Sequence, residues 1–252
     1  MDLIMNFFES IFRWLHVFAG IIWIGHLYFF NWVNANFNPT MDAETRKKVV
    51  PELMPRALFW FRWGAAFTWA TGVLLLLMVY YHGGILFEGL RQWSLPAFIM
   101  IVLTFAAPFI YDPLYNAPLK DPQAGFWGGL ILATAMLFLF DYFAGFSFRG
   151  YAIHLGAMFG TIMAYNVWFR IWPAQQKIIT AIKNGEAPDA ALAAMAGTRS
   201  KHNTYMSVPL VFMMVSQHAI WAANPILLAI MVLVGWGLVY HLYDRAKAVK
   251  GF

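Results

Sequence analysis

The apolar run WLHVFAGIIWIGHLYFFNWVN, Trp14 to Asn34, carries two imidazoles, His16 and His26. Five further histidines follow, His82, His154, His202, His218 and His241. An ionisable side chain within an apolar span is costly, so it faces either a functional cavity or a partner on a neighbouring helix. The chain has no cysteine, which removes iron–sulfur clusters, thiolate zinc sites, disulfides and covalent c-type haem attachment. A di-iron carboxylate centre needs several Asp and Glu inside a bundle, whereas the 12 acidic residues here fall in predicted loops or near helix ends. Copper on histidine and methionine is a second option, since Met158 stands one helical turn after His154; most methionines read more simply as core filler. Neutral imidazoles on facing helices suit a b-type haem best. The bland alternative is that the same rings brace helices by hydrogen bonds.

The elements that hold these rings are apolar helices. With 61% hydrophobic and 12% charged residues among 252, the composition departs from that of soluble domains. Seven stretches reach the roughly 20 apolar residues that a bilayer-spanning helix needs: Phe8 to Val33, Leu58 to Tyr81, Trp93 to Tyr111, Phe126 to Phe143, Tyr151 to Ile171, Thr204 to Trp221 and Pro225 to Tyr243. The fold expected is all-α, a polytopic membrane helix bundle forming one transmembrane domain over residues 1–252. Met1 to Phe8 contains Asp2 and no Lys or Arg, so the first stretch reads as a retained helix and not as a secretory signal.

Seven spans put alternate connections on opposite sides. Of the 17 Lys and Arg, 14 fall on one side and only Arg13, Arg91 and Arg149 on the other. That asymmetry predicts an external N-terminus and a cytoplasmic C-terminus. Charges scattered over several loops give no nucleic-acid surface. Two long connections are expected, 36–55 and 173–201, both cytoplasmic. In the second, Gln175 to Lys183 has helical spacing, Asn184-Gly185 is a stop signal, and Pro188 opens an alanine-rich helix ending near Gly197, which makes a helical hairpin. Pro96, Pro108 and Pro209 fall inside predicted helices as kinks.

At about 1.5 Å rise per residue, this topology sorts six histidines into two layers. His16, His154 and His218 fall toward the outer face, and His26, His202 and His241 toward the cytoplasmic face; His82 falls in an outer loop. Matched depth makes His16 and His218 the expected axial pair of one outer haem, with His154 as the alternative ligand or a supporting donor. Gly20, one turn after His16, shares its face and leaves room for a macrocycle, while Gly156 and Gly160 flank the same level. His26 and His202 are candidates for a second haem or for substrate.

The Trp14 to Asn34 motif, together with RSKHNTYMSVPLVFMMVSQH (Arg199 to His218) and AYNVWFRIWPAQQKII (Ala164 to Ile179), resembles the membrane domain of the bacterial membrane-bound urate oxidase (urate hydroxylase) family. The first motif is more loosely similar to haem-binding membrane oxidoreductases of the protoporphyrinogen-oxidase type. The resemblance implies a bacterial inner-membrane, multi-pass protein that oxidises urate to 5-hydroxyisourate with a cytochrome c as acceptor. It points to His16, His26 and Asn34 in the first motif and to His202, Asn203 and His218 in the second. Relatives of this kind continue into a C-terminal cytochrome c domain, and the chain has no Cys-x-x-Cys-His, so a separate carrier, a cytochrome c or a quinone, is expected.

The function that follows is a haem b-binding oxidoreductase or electron-transfer protein with one or two haems, its ligands drawn from His16, His218, His26 and His202. No catalytic residue is assigned, and assembly into oligomers is left open. The alternatives are a transporter of a purine or small anion, and a non-catalytic subunit of a respiratory assembly.

Overall fold

The computed structural model describes residues 3–251, and among them every regular element is helical. Seven long helical runs follow one another: α1 (Leu3–Thr40), α2 (Ala43–His82), α3 (Leu95–Asn116), α4 (Pro122–Phe143), α5 (148–184), α6 (Ala190–Val215) and α7 (Pro225–Ala248). A single 3₁₀ turn, Ile220–Ala222, lies between the last two. Five runs, α1 to α4 and α7, are long and apolar enough to cross a membrane. α5 and α6 differ in composition because they hold the polar interior: His154, Thr161, Asn166, Arg199, Asn203, Thr204 and Ser207 are all buried.

Helix starts follow local chemistry. The Asp121 carboxylate caps α4 by accepting from the Gln123 and Ala124 amides, with Pro122 in the first turn. Asp189 caps α6 through Ala191 and Leu192, and Asn224 caps α7 through Ile226. Gly185 ends α5 in the left-handed region, φ 77°, as the Asn184-Gly185 signal predicts.

Several boundaries differ from the expected ones. Residues 36–55 form no long connection. α1 continues to Thr40, and α2 begins at Ala43 because Asp42 accepts from both the amide and the hydroxyl of Thr45. Those two bonds hold the Asp42 carboxyl below the usual carboxylate range. Pro51 and Pro55 then lie inside α2, spaced so that the amides they lack fall on one helical face. Pro96 sits in the first turn of α3 behind the Ser94 cap and kinks nothing. Residues 148–184 form one run through a π-helical segment, Asn166–Ile171, with Pro173 absorbed in the turn that follows. The second arm of the expected hairpin does not stop near Gly197. Nothing lies within 4 Å of a Cβ built there, and the roughly 1 kcal/mol cost of one glycine is small against a 26-residue helix. α6 instead ends at Val215, where the Ser216 hydroxyl and the Gln217 amide take the carbonyls of Phe212 and Met213.

The residues pack as two compact units. One holds residues up to Glu9, Gly72–Ile162 and Met206–Gly237; the other holds Ser10–Thr71, Met163–Tyr205 and the chain from Leu238. The core of the first centres on Leu76, Tyr80 and Ile153, and Pro209 packs against Gly235, whose missing Cβ would lie 3.0 Å from the proline ring. In the second, Asn31 ties three runs together: its amide donates to the Leu27 carbonyl and the Ser200 hydroxyl, and its Oδ1 accepts from Tyr243. Arg62 stacks on Trp172 at 4.0 Å, which gives a cation within an apolar stretch an aromatic face. α1 and α2 meet at Gly64, where an added Cβ would sit 3.0 Å from the Trp23 amide and 3.3 Å from the Ala19 carbonyl.

Gly64→Val is therefore expected to lower the thermal unfolding midpoint by the equivalent of about 1–3 kcal/mol of overpacking, measured on detergent-purified protein. Gly25→Ala, with nothing within 4 Å of the new carbon, is expected to leave the midpoint in place.

Candidate functional site

In the second unit, the half-buried His16 on α1 lies 2.9 Å from the Thr68 carbonyl through Nδ1, with the Thr71 hydroxyl at 3.3 Å. A carbonyl only accepts, so Nδ1 carries the proton and Nε2 presents its lone pair. His26 repeats the pattern within its own helix, donating from Nδ1 to the Ile22 carbonyl at 2.7 Å. Both rings thus have the outer hydrogen bond that fixes a ligating histidine, with the other nitrogen free of that bond. Gly20 faces Thr68, whose methyl would be 3.8 Å from an added Cβ, so the contact is ordinary and this glycine is not needed for close packing. His202 is half-buried on α6 beside Asn203. Asn203 accepts from the Asn166 amide and donates to the Met163 carbonyl, a fully buried tie between α5 and α6. His241 is exposed on α7.

In the first unit, His154 is fully buried. Its Nδ1 donates to the Gly150 carbonyl at 2.7 Å, and its Nε2 accepts from the Tyr81 hydroxyl at 2.9 Å. Phe140 and Phe146 pack against the ring. Both nitrogens are therefore engaged, and as placed the ring is a brace between α2 and α5. His218 does not sit in a helix: it is exposed in the turn after Val215, where Arg149 donates to the neighbouring Gln217 carbonyl. Its expected level assumed a helix reaching Trp221. Gly156 packs against Met213, and His82 is exposed at the end of α2. The expected ligands therefore divide, with His16, His26, His202 and Gly20 in one unit and His154 and His218 in the other.

Among the described residues no three of His, Cys, Asp and Glu gather into a group that could hold a metal ion. Iron bound here would rest on one or two imidazoles and a macrocycle. The Nδ1-anchored rings of His16 and His26 fit that demand, and the doubly bonded His154 does not.

The second unit also holds a cavity of about 300 Å³ that histidine-centred reasoning passes over. Its polar lining comes from Asn31, Asn34 and Asn38 of α1, Arg46 of α2, Gln175 of α5 and Ser200 of α6. The asparagines, with Ala35, occupy one helical face, and the π-helical segment Phe29–Asn34 lies within that stretch. The signal was present in NWVNANFN, Asn31 to Asn38, where four asparagines fall in eight residues. Of these, the family resemblance points to Asn34 alone. Phe30 and Phe61 form part of the apolar wall, 5.3 Å apart and nearly perpendicular. Arg46 Nε and Asn38 Oδ1 are shielded from solvent with no hydrogen-bond partner.

The bracing role of His154 has a direct check. His154→Leu leaves the Tyr81 hydroxyl without its acceptor, at a cost of about 1–3 kcal/mol. The unfolding midpoint is expected to fall while any bound chromophore is kept.

A family model described as urate oxidase N-terminal matches residues 43–250. No curated protein and no solved structure matches the chain. The match takes in α2 to α7, with His154, His202 and Arg46, while His16, His26 and the cavity asparagines of α1 precede it; the chain belongs to the urate oxidase N-terminal family.

Proposed function

We propose that the protein is a membrane-bound urate oxidase of the hydroxylase type, binding haem b and passing electrons to a cytochrome c or a quinone. The observation that carries the reading is the family match over residues 43–250. Five helices able to cross a membrane support the membrane-bound form. The reading counts α5 and α6 as spans too, their polar residues turned inward, and so gives seven in a bacterial inner membrane. The basic residues of 46–62, 170–201 and 245–250 then lie on the cytoplasmic side.

Oxidation of urate to 5-hydroxyisourate removes two electrons and two protons and adds water oxygen to the ring, so an electron acceptor is required. Haem b, when bound, supplies one-electron acceptance and onward transfer. His16 would hold it: the Thr68 carbonyl fixes the ring's tautomer and plane, and Gly20 leaves the adjoining surface low. His26 offers the same arrangement ten residues on, about 15 Å along the axis at 1.5 Å per residue, which would serve a second haem. His202, in the same unit, stays in the ligand set as a partner for these two; His218 stays a ligand candidate of the other unit, and His154 leaves the set. Oligomer formation is compatible with the reading.

Purified protein is expected to show a reduced-minus-oxidised spectrum of b-type haem, confirmed as the pyridine haemochrome. His16→Ala is expected to lose a spectral component that His154→Leu keeps, and membranes are expected to consume urate with added cytochrome c or quinone. A colourless, folded preparation overturns the haem and favours a transporter of a purine or small anion.

Topology is tested separately. Alkaline phosphatase fused at the C-terminus is expected to be inactive, and activity there would mean that one run does not span.

A further inference from the structure

We propose that the amide-lined cavity of the second unit is a binding site for a planar, anionic lactam heterocycle, with Arg46 and Asn38 as its recognition pair. At about 300 Å³ the cavity lies at the lower bound of small-molecule sites, roughly 300–1,000 Å³. Its wall contains one charged side chain, Arg46, and no Asp, Glu, Lys or His. A cation without a counter-charge in a largely apolar enclosure favours an anion and repels a metal ion.

The unpartnered atoms refine the class. Arg46 Nε is an N–H donor and Asn38 Oδ1 an acceptor, both shielded from solvent and unmatched by protein. Leaving such groups unsatisfied costs about 1–3 kcal/mol each, and a ligand carrying an anionic oxygen and a ring N–H would satisfy both. Inorganic phosphate can also bring an O–H to the asparagine oxygen, but it is tetrahedral and fully polar, whereas a lactam places C=O and N–H groups side by side on a flat ring that the apolar part of the wall can cover. Asn34 and Gln175 add two more amides of the same bonding type. Asn31 is not available, because its donors and acceptor are already committed to Leu27, Ser200 and Tyr243. It fixes the floor while the other amides face the ligand. Phe30 and Phe61 meet edge to face, so one of the two can offer its face to a planar ring.

The lactam class and its identification as urate rest on the proposed function, while the pairing of an anion with an N–H donor rests on Arg46 and Asn38. The test is calorimetric titration of urate into the full-length, detergent-purified protein, with inorganic phosphate as the competing anion. Wild type is expected to bind urate. Arg46→Gln is expected to weaken binding by about tenfold or more, the loss due when a charge-assisted hydrogen bond is removed. Asn38→Asp, which keeps the side-chain shape and places a carboxylate against the anion, is expected to abolish it. Arg56→Gln removes a positive charge that lies exposed outside the cavity, paired with Glu52, and is expected to bind as wild type does. Asn38→Asp keeps the proposal testable should Arg46→Gln fail to fold.

Equal urate affinity in all four proteins overturns the proposal, as does no binding to haem-loaded wild type or full displacement by phosphate at matched concentration. Binding lost in both cavity variants supports the site even where membranes consume no urate, an outcome that would sink the oxidase reading alone. Urate consumption unaltered by both variants would sink the cavity and leave that reading in place.

Discussion

The structure depends on one repeated interaction, the hydrogen bond from a polar side chain to the carbonyl one turn back in its own helix. In an apolar environment no water relieves a buried hydroxyl, amide or imidazole. Thr68, Thr71, Thr104, Thr134 and Thr161 each donate to the carbonyl four residues earlier. Asn31, His26 and His154 do the same. The bond costs little in helix geometry because it shares an acceptor already in use, and it lets helices carry polar groups without loops or buried water. It also leaves each longer side chain one unused functionality, and where that second atom points decides what the residue does.

The irregular helix turns lie among these second atoms. Four π-helical segments interrupt the runs, Phe29–Asn34, Leu76–His82, Leu139–Phe143 and Asn166–Ile171. They contain Asn31 and Asn34 of the cavity, Tyr80 and Tyr81 facing Gln217 and His154, Asp141 paired with Arg91, and Asn166 paired with Asn203. A π turn inserts a residue, shifts the side chains beyond it around the helix, and is frequent at functional sites. Here each π segment holds a polar side chain bonded to a distant part of the chain.

That explains what the sequence could and could not disclose. Apolar runs, the absence of cysteine and the Asn184-Gly185 stop are local features, and they gave the all-helical class, the excluded cofactors and the end of α5. Helix lengths were less legible because caps and proline positions act through partners. Asp42 begins α2 through Thr45, Pro51 and Pro55 are tolerated together, and Ser216 with Gln217 closes α6 early enough to leave His218 in a turn. The level expected for His218 rests on a helix reaching Trp221, and α6 ends at Val215. The cavity was hidden for another reason: it forms only where two consecutive runs, α1 and α2, meet a second such pair, α5 and α6, far along the chain.

His16 and His154 show how little separates the proposed ligand from a brace. Both rings spend Nδ1 on a carbonyl, Thr68 for one and Gly150 for the other. Beside His154 the Tyr81 hydroxyl fills Nε2 at 2.9 Å within a shell of Phe140 and Phe146. The ring then has no further capacity, and its burial is stable because it is complete. His16 is only half-buried, and its neighbours Trp14, Leu15, Val17 and Phe18 are exposed apolar side chains. A ring anchored on one side and bordered by apolar surface on the other has its orientation set before anything binds, which is what the proposed haem would require of it. The same logic holds in the cavity, where Asn31 is complete and Asn38 is not. In this chain, function is best sought at the polar atoms that the helices leave unanswered.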